Sequence, residues 1–158
     1  MRILVHYPSG RGELRLRTDR DWDRDLAPVA VSGTHAEFEL GDGQPFVYFK
    51  PVLRNGDAVL WSQGDNYLAI TTDPAGRALY PHFDPEPHCS ACELREVRGR
   101  RYRVFHPPGY DENTLKRYPV LYMHDGQNLF FPDEAFGGSD WQVDETLLTL
   151  DAMNLIDK

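Results

Sequence analysis

The residues best placed to do chemistry are His124, Asp125 and Gln127, which follow the apolar run PVLYM at 119–123. A run that is apolar at nearly every position predicts a strand buried on both faces, and α/β proteins build their sites in the loops after such strands. A histidine in that loop could act as a general base. We interpret His124 instead as a residue whose ring orders the loop by hydrogen bonding, because the sequence offers no evident nucleophile for it to activate.

A second group of reactive residue types is His88-Cys89-x-x-Cys92, with His82 nearby. Cysteine and histidine are zinc ligands, but a structural zinc site normally has two Cys-x-x-Cys halves or a matched pair of histidines. One half alone leaves two interpretations, a zinc site or two thiols in a loop, of which we favour the second. A redox role fits less well, because the neighbouring prolines do not place the cysteines at the start of a helix.

Acidic residues cluster in two places. The run DRDWDRD at 19–25 lacks, in both possible registers, the glycine and the final carboxylate of an EF-hand loop, so we predict a solvated loop. Asp140, Asp144 and Glu145 fall in the first turn of a predicted helix, which already accounts for their charge. Neither cluster predicts a metal site.

Three large aromatic residues, Trp22, Trp61 and Tyr67, could bind sugar, because an aromatic face stacks on a pyranose ring. Large aromatic residues also dominate ordinary cores. The sequence leaves both interpretations open and slightly favours the core.

Charge and composition exclude several classes of function. The 158 residues carry 17 basic and 25 acidic side chains, a net charge of −8, which argues against binding nucleic acid or anionic lipid. No segment has the roughly 20 apolar residues of a membrane span, and the N-terminus has no secretory pattern. We therefore expect a cytoplasmic protein without membrane association, and the two cysteines fit a reducing compartment.

The first half of the chain has the pattern of an Ig-like or early-set-like β-sandwich. Short apolar runs separated by Gly, Asn-Gly and Gly-Asp predict strands at 13–17, 36–40, 46–53, 57–61 and 66–70. Prolines at 81, 85 and 87 predict a linker, or a loop folded over a domain boundary, at 80–93. We expect a sandwich domain at 1–79 and a second domain at 94–158.

The second half has a different pattern. Alternation around Gly99 predicts a hairpin at 94–107, and the buried strand at 119–124 follows. A helix is predicted from Ser139 to Asn154, with Ser139 and Gln142 at capping-box spacing and a leucine-rich stripe at helical periodicity.

Three stretches of this half, YRVFHPPGYD, RYPVLYMHDGQNLFF and AFGGSDWQVDETL, resemble the opening of an esterase family of α/β hydrolases that includes enterochelin-esterase-like and carbohydrate-esterase-like enzymes. Upstream, RGELRLRTD, FVYFKPVL and WSQGDNYL resemble the starch-binding-like β-sandwich that precedes such domains. The fold class implied is a β-sandwich followed by an incomplete α/β-hydrolase domain.

The resemblance implies hydrolysis of acyl esters by a serine on a G-x-S-x-G elbow, followed along the chain by an acid and a histidine. The serines stand at 9, 32, 62, 90 and 139, and none lies in an elbow. Ser139 lacks the final glycine, so we interpret it as the helix cap. We accordingly expect a truncated esterase that is inactive alone, with catalytic residues absent from the chain and no metal or organic cofactor.

Site roles follow from the same resemblance. The loop His124-Asp125-Gly126-Gln127 would supply an oxyanion-hole amide, that of Gln127, with Gly126 enabling the turn. Phe136, Gly137, Gly138 and Trp141 would line the substrate cleft, although Trp141 is better interpreted as packing its helix onto the sheet. The substrate would be a small acyl ester, of a sugar or a siderophore. The alternative function is a non-catalytic sandwich that binds a glucan or a partner protein.

Overall fold

The structure is a computed structural model that describes residues 1–41, 43–73, 75–85 and 92–156. It is mostly β-sheet. The strands are β1 (Arg2–His6), β2 (Glu13–Thr18), β3 (Asp21–Leu26), β4 (Ala30–Val31), β5 (His35–Glu39), β6 (Phe46–Asn55), β7 (Ala58–Trp61), β8 (Tyr67–Ile70), β9 (Arg77–Leu79), β10 (Cys92–Val97) and β11 (Arg100–Phe105). A short 3-10 helix covers Gly126–Asn128, and α1 covers Val143–Ala152.

Two sheets share one apolar core. The first has the order β4-β5-β1-β9, with β1 and β9 parallel, and the second has the order β3-β2-β6-β7, with β8 also paired to β6. Ile3 and Phe38 from the first sheet meet Leu16, Phe49 and Ala69 from the second in a single buried cluster. Inward apolar residues alternate with outward ones along β6 and β8, as expected for sheets with one buried face. The arrangement is compatible with a β-sandwich.

The five strands predicted in the first half are all present, as β2, β5, β6, β7 and β8. Strands β1, β3, β4 and β9 were not predicted. The solvated loop predicted at 19–25 is wrong, because Asp21–Leu26 forms β3 and pairs antiparallel with β2. Its polar residues are tolerated because β3 lies at the edge of its sheet and Asp25 is bonded to two arginines.

The segment after β9 packs on the first half of the chain. Pro81, His82 and Phe83 are buried, and Phe83 contacts Tyr7 edge to face with ring centroids 4.9 Å apart. Of the two alternatives for 80–93, the described part at 80–85 is therefore a packed loop. Gly109 lies so close to His82 that a Cβ there would stand 2.5 Å from the His82 Cβ.

The hairpin predicted at 94–107 is confirmed as β10 and β11. Its two-residue turn has positive φ at both positions, 52° at Arg98 and 74° at Gly99. Positive φ at both central residues is the geometry that joins tightly twisted antiparallel strands.

The strand predicted at 119–124 is wrong. Residues 119–123 form no strand, and Val120, Leu121 and Tyr122 are 71%, 70% and 89% exposed. A strand buried on both faces needs neighbouring strands and covering helices, and the described residues supply none at this place. The described region 92–156 consists of the hairpin, the 3-10 helix, α1 and irregular chain.

The predicted helix is present but shorter. Helix α1 begins at Val143, and its N-cap is Gln142 in a left-handed conformation, without a side-chain capping bond. The capping role predicted for Ser139 is therefore wrong. No helix of the described chain is long and apolar enough to cross a membrane.

Candidate functional site

The loop predicted to hold an oxyanion is a tight, exposed turn. Asp125 has φ 56° and ψ 45°, and the chain then enters the 3-10 helix Gly126–Asn128. A left-handed residue followed by a right-handed one turns successive amides towards a common side, the geometry of an anion-binding concavity. Within the described chain, the amides of Gly126 and Gln127 donate to no backbone acceptor.

Asn128 joins this loop to the loop at 136–141. Its side-chain Oδ1 accepts a hydrogen bond from the Phe136 amide at 2.9 Å, and its backbone oxygen accepts one from the Trp141 amide at 2.7 Å. The structure thus brings together the two loops that the sequence assigned to the oxyanion and the cleft. The sequence analysis missed Asn128, and only its position beside the predicted turn could have drawn attention to it.

The cleft residues themselves are open to solvent. Phe136 is 92% exposed and Trp141 is 54% exposed, so the prediction that Trp141 packs its helix onto a sheet is wrong. Gly137 and Gly138 both have positive φ and are exposed. His124 is also exposed, and its ring makes no hydrogen bond to the described residues, so the ordering role predicted for it is wrong.

The paired loops are anchored to the β10–β11 hairpin. Phe130 stacks on Phe105 with ring centroids 5.8 Å apart. Arg103 on β11 pairs with Glu134 and lies 4.8 Å from the ring centroid of Phe131. These contacts tie the segment that follows the 3-10 helix to the hairpin.

A second candidate site lies on the outer face of the β3-β2-β6-β7 sheet. Trp22 and Trp61 come together there, with ring centroids 6.2 Å apart, and Trp61 is 37% exposed. The Arg17 guanidinium lies 5.1 Å from the Trp61 ring centroid and donates to the Trp22 carbonyl at 2.9 Å. Two aromatic faces beside polar groups form a surface on which a sugar could stack.

Asp25 holds the arginines of this surface in place. Its two carboxylate oxygens accept hydrogen bonds at 2.6 Å from the Nε atoms of Arg17 and Arg54. Burial would raise the pKa of Asp25, but the hydrogen bonds from the two guanidinium groups outweigh it and lower that pKa. The carboxylate is therefore charged at neutral pH and keeps both arginines oriented.

Tyr67 is not part of this surface. It is 6% exposed, belongs to the core and stacks on Phe49 with centroids 5.6 Å apart. Burial raises its pKa to about 12. The core interpretation therefore holds for Tyr67, whereas Trp22 is half-buried and Trp61 is exposed at the surface.

The remaining reactive groups of the described chain are Cys92 and the acidic cluster of Asp140, Asp144 and Glu145. His88 and Cys89 lie outside the described residues. Cys92 is the one described residue of this candidate zinc site, so the zinc interpretation stays untested. Cys92 is half-buried on β10, and burial raises the pKa of its thiol, the opposite of what a reactive thiolate needs. Asp140, Asp144 and Glu145 bring their oxygens within 4.8 Å of one another, an arrangement common in exposed acidic clusters.

A cavity of about 310 Å³ lies between α1 and the chain segments at 63–64, 82–85 and 108. His82, which lies near the candidate zinc ligands in the sequence, lines it, but no residue of the two candidate sites does. It is therefore separate from both candidate sites.

Comparisons of the chain with protein-family models, with curated proteins and with solved structures found no match.

Proposed function

We propose that these residues belong to a serine esterase, to which they contribute an N-terminal β-sandwich and the oxyanion-hole loop of the catalytic domain. The observation that carries this proposal is the turn at Asp125, after which the amides of Gly126 and Gln127 donate to no backbone acceptor of the described chain. The resemblance of 103–150 to the opening of esterase domains supports it. The substrate class is a small acyl ester, of a sugar or a siderophore.

The chemistry assigned to the loop is electrostatic. When a serine attacks an ester carbonyl, negative charge develops on the carbonyl oxygen, and an amide already aimed at that oxygen stabilises the transition state. Gly126 carries no side chain, so a substrate can approach the Gln127 amide closely. The serine, the acid and the histidine must come from outside these 158 residues, because no elbow occurs among them.

The exposed apolar segment at 119–123 also supports the proposal. Val120, Leu121 and Tyr122 are unusually apolar for chain that faces solvent. Contiguous exposed apolar residues indicate an interaction surface, and further strands of a catalytic domain would cover them.

The test uses the reading frame beyond the Lys158 codon. The polypeptide that includes the elbow is expressed, and hydrolysis of a p-nitrophenyl ester is measured. Gln127→Pro removes the amide and is expected to lower kcat by about 10²–10³-fold, whereas the matched control Gln127→Ala keeps the amide and the rate. Equal rates for the two variants, at equal unfolding midpoints, would show that the amide is not an oxyanion donor.

The second candidate function is carbohydrate binding by the sandwich, with a glucan as ligand. The pair of a half-buried Trp22 and an exposed Trp61, flanked by Arg17, favours it. Stacking supplies affinity, and the guanidinium and carboxylate groups supply hydrogen bonds to hydroxyls.

Retention of the chain on an amylose column tests this candidate. Trp61→Ala is expected to weaken binding about tenfold, which corresponds to about 1.4 kcal/mol. Tyr102→Ala is the matched control, since Tyr102 is an aromatic residue that is 42% exposed and lies on β11, away from the pair. Equal retention of both variants would exclude this surface as the glucan site.

A further inference from the structure

Two histidines face each other on neighbouring strands of the first sheet. His6 at the end of β1 is directly opposite His35 at the start of β5 in the antiparallel register. Their ring centroids are 5.2 Å apart, and the ring planes are tilted by 41°. Both rings are half-buried.

This separation matches the spacing of two imidazoles on one metal ion. A ligating nitrogen lies about 2.05 Å from Zn²⁺, and the centroid of its ring lies about 1.15 Å behind it. At a tetrahedral angle of about 109°, two such rings have their centroids about 5.2 Å apart. The antiparallel register of β1 and β5 already holds the two rings at this separation.

Neighbouring side chains hold both rings in place. His6 stacks on Tyr80 with centroids 4.6 Å apart and planes at 12°. The Nδ1 atom of His35 lies 2.8 Å from the Ser32 hydroxyl. In the tautomer in which Nδ1–H donates to the hydroxyl, Nε2 keeps a free lone pair, which is the usual way in which an outer partner orients a ligating histidine.

The nitrogens that would face the ion have no competing partner. Within the described chain, neither ring nitrogen of His6 nor Nε2 of His35 makes a hydrogen bond. The nearest carboxylate on this face of β5, Glu37, is already paired with Arg2 at 2.6 Å.

We propose that His6 and His35 form a binding site for a divalent transition-metal ion such as Zn²⁺. Each histidine supplies one ring nitrogen, Nε2 in the case of His35, and water completes the coordination. Imidazole is the ligand that suits zinc, copper and nickel, whereas magnesium and calcium prefer oxygen. The proposal is independent of the esterase function.

Isothermal titration of the full 158-residue chain with ZnCl₂ at pH 7.5 tests the site. A background with Cys89→Ser and Cys92→Ser removes the thiols as competing ligands. We expect one Zn²⁺ per chain and affinity at least tenfold lower after His6→Ala or His35→Ala. His106→Ala is the matched control, because His106 also stacks on a tyrosine, Tyr110, but has no histidine opposite it.

Two outcomes would overturn the proposal: no Zn²⁺ binding by the cysteine-free chain, or equal binding by all three histidine variants. Should His6→Ala unfold the chain, the ¹⁵N spectrum of the cysteine-free chain itself decides. Coordination shifts the Nε2 resonance of His35 on addition of Zn²⁺, and an unmoved resonance would refute the site.

Discussion

Glu112 is the buried charge on which the packing of the second half of the chain depends. Its side chain is 4% exposed, and it accepts hydrogen bonds from the Tyr7 hydroxyl at 2.6 Å and from the amides of Phe83 and Asp84 at 2.8 and 3.0 Å. Arg11 lies 3.9 Å away and supplies the opposite charge. The carboxylate thus joins three separate stretches of the chain.

Replacing Glu112 by Ala is expected to destabilise the protein by about 2–4 kcal/mol, because three donors lose a charged acceptor and two of them stay buried. Urea unfolding followed by circular dichroism measures the change. Glu93→Ala is the control and should leave the midpoint unchanged, because Glu93 is exposed and bonds only to Arg95, two residues away. A Glu112→Ala midpoint as high as that of the control would contradict this role.

The sequence predicted candidate roles for some single residues but not for others. The sequence singles out Trp22, Trp61 and Tyr67 equally, yet only the register of β8 decides that Tyr67 turns into the core. The role of Glu112 was not predictable, because its partners lie up to 105 residues away in the chain. The pairing of His6 with His35 depends on β1, a strand that was not predicted.

At the scale of secondary-structure elements, the sequence predicted those strands and turns that depend on their own local residues. β6 and β8 were predicted because one face of each strand is apolar, and the hairpin was predicted because glycine permits its turn. The run at 119–124 is apolar enough for a buried strand, but whether it becomes one depends on neighbours that its own sequence does not contain. Helix α1 begins at Val143 instead of the predicted Ser139, because Gln142 takes a left-handed conformation that cannot be part of the helix.

Substitution of Leu121 tests whether the 119–123 segment is exposed in solution. The side chain is 70% exposed, so Leu121→Glu is expected to leave the free energy of unfolding nearly unchanged and to reduce binding of the dye ANS. Leu16→Ala is the matched comparison: Leu16 is fully buried in the core, and truncation there should cost about 2–5 kcal/mol. Comparable destabilisation by both variants would mean that Leu121 is packed in solution.

At the scale of the whole molecule, stability should fall in alkali. Burial raises the pKa of Tyr7, Tyr67 and Tyr118 to about 12, from an ordinary value of 10. The folded state therefore holds these protons more tightly than the unfolded chain does. The resulting stabilisation is fully present below pH 10 and is lost as the pH rises through 12.

Urea unfolding between pH 8 and 12 measures this loss, and absorbance at 295 nm reports the ionisation of tyrosine. The folded chain is expected to release part of its phenolic protons only near pH 12, whereas the chain in urea releases them near pH 10. An unfolding midpoint that stays constant up to pH 12 would contradict the burial of these hydroxyls.

The central claim is that these residues serve a serine esterase. The most direct measurement is to isolate the native protein from its source with an antibody against residues 1–79, treat it with a fluorophosphonate and identify the labelled peptide by mass spectrometry. We expect a polypeptide larger than 18.2 kDa that contains peptides from 1–158 and a labelled serine in a G-x-S-x-G sequence. Recovery of these peptides with no labelled serine in the polypeptide or in anything bound to it would contradict the claim.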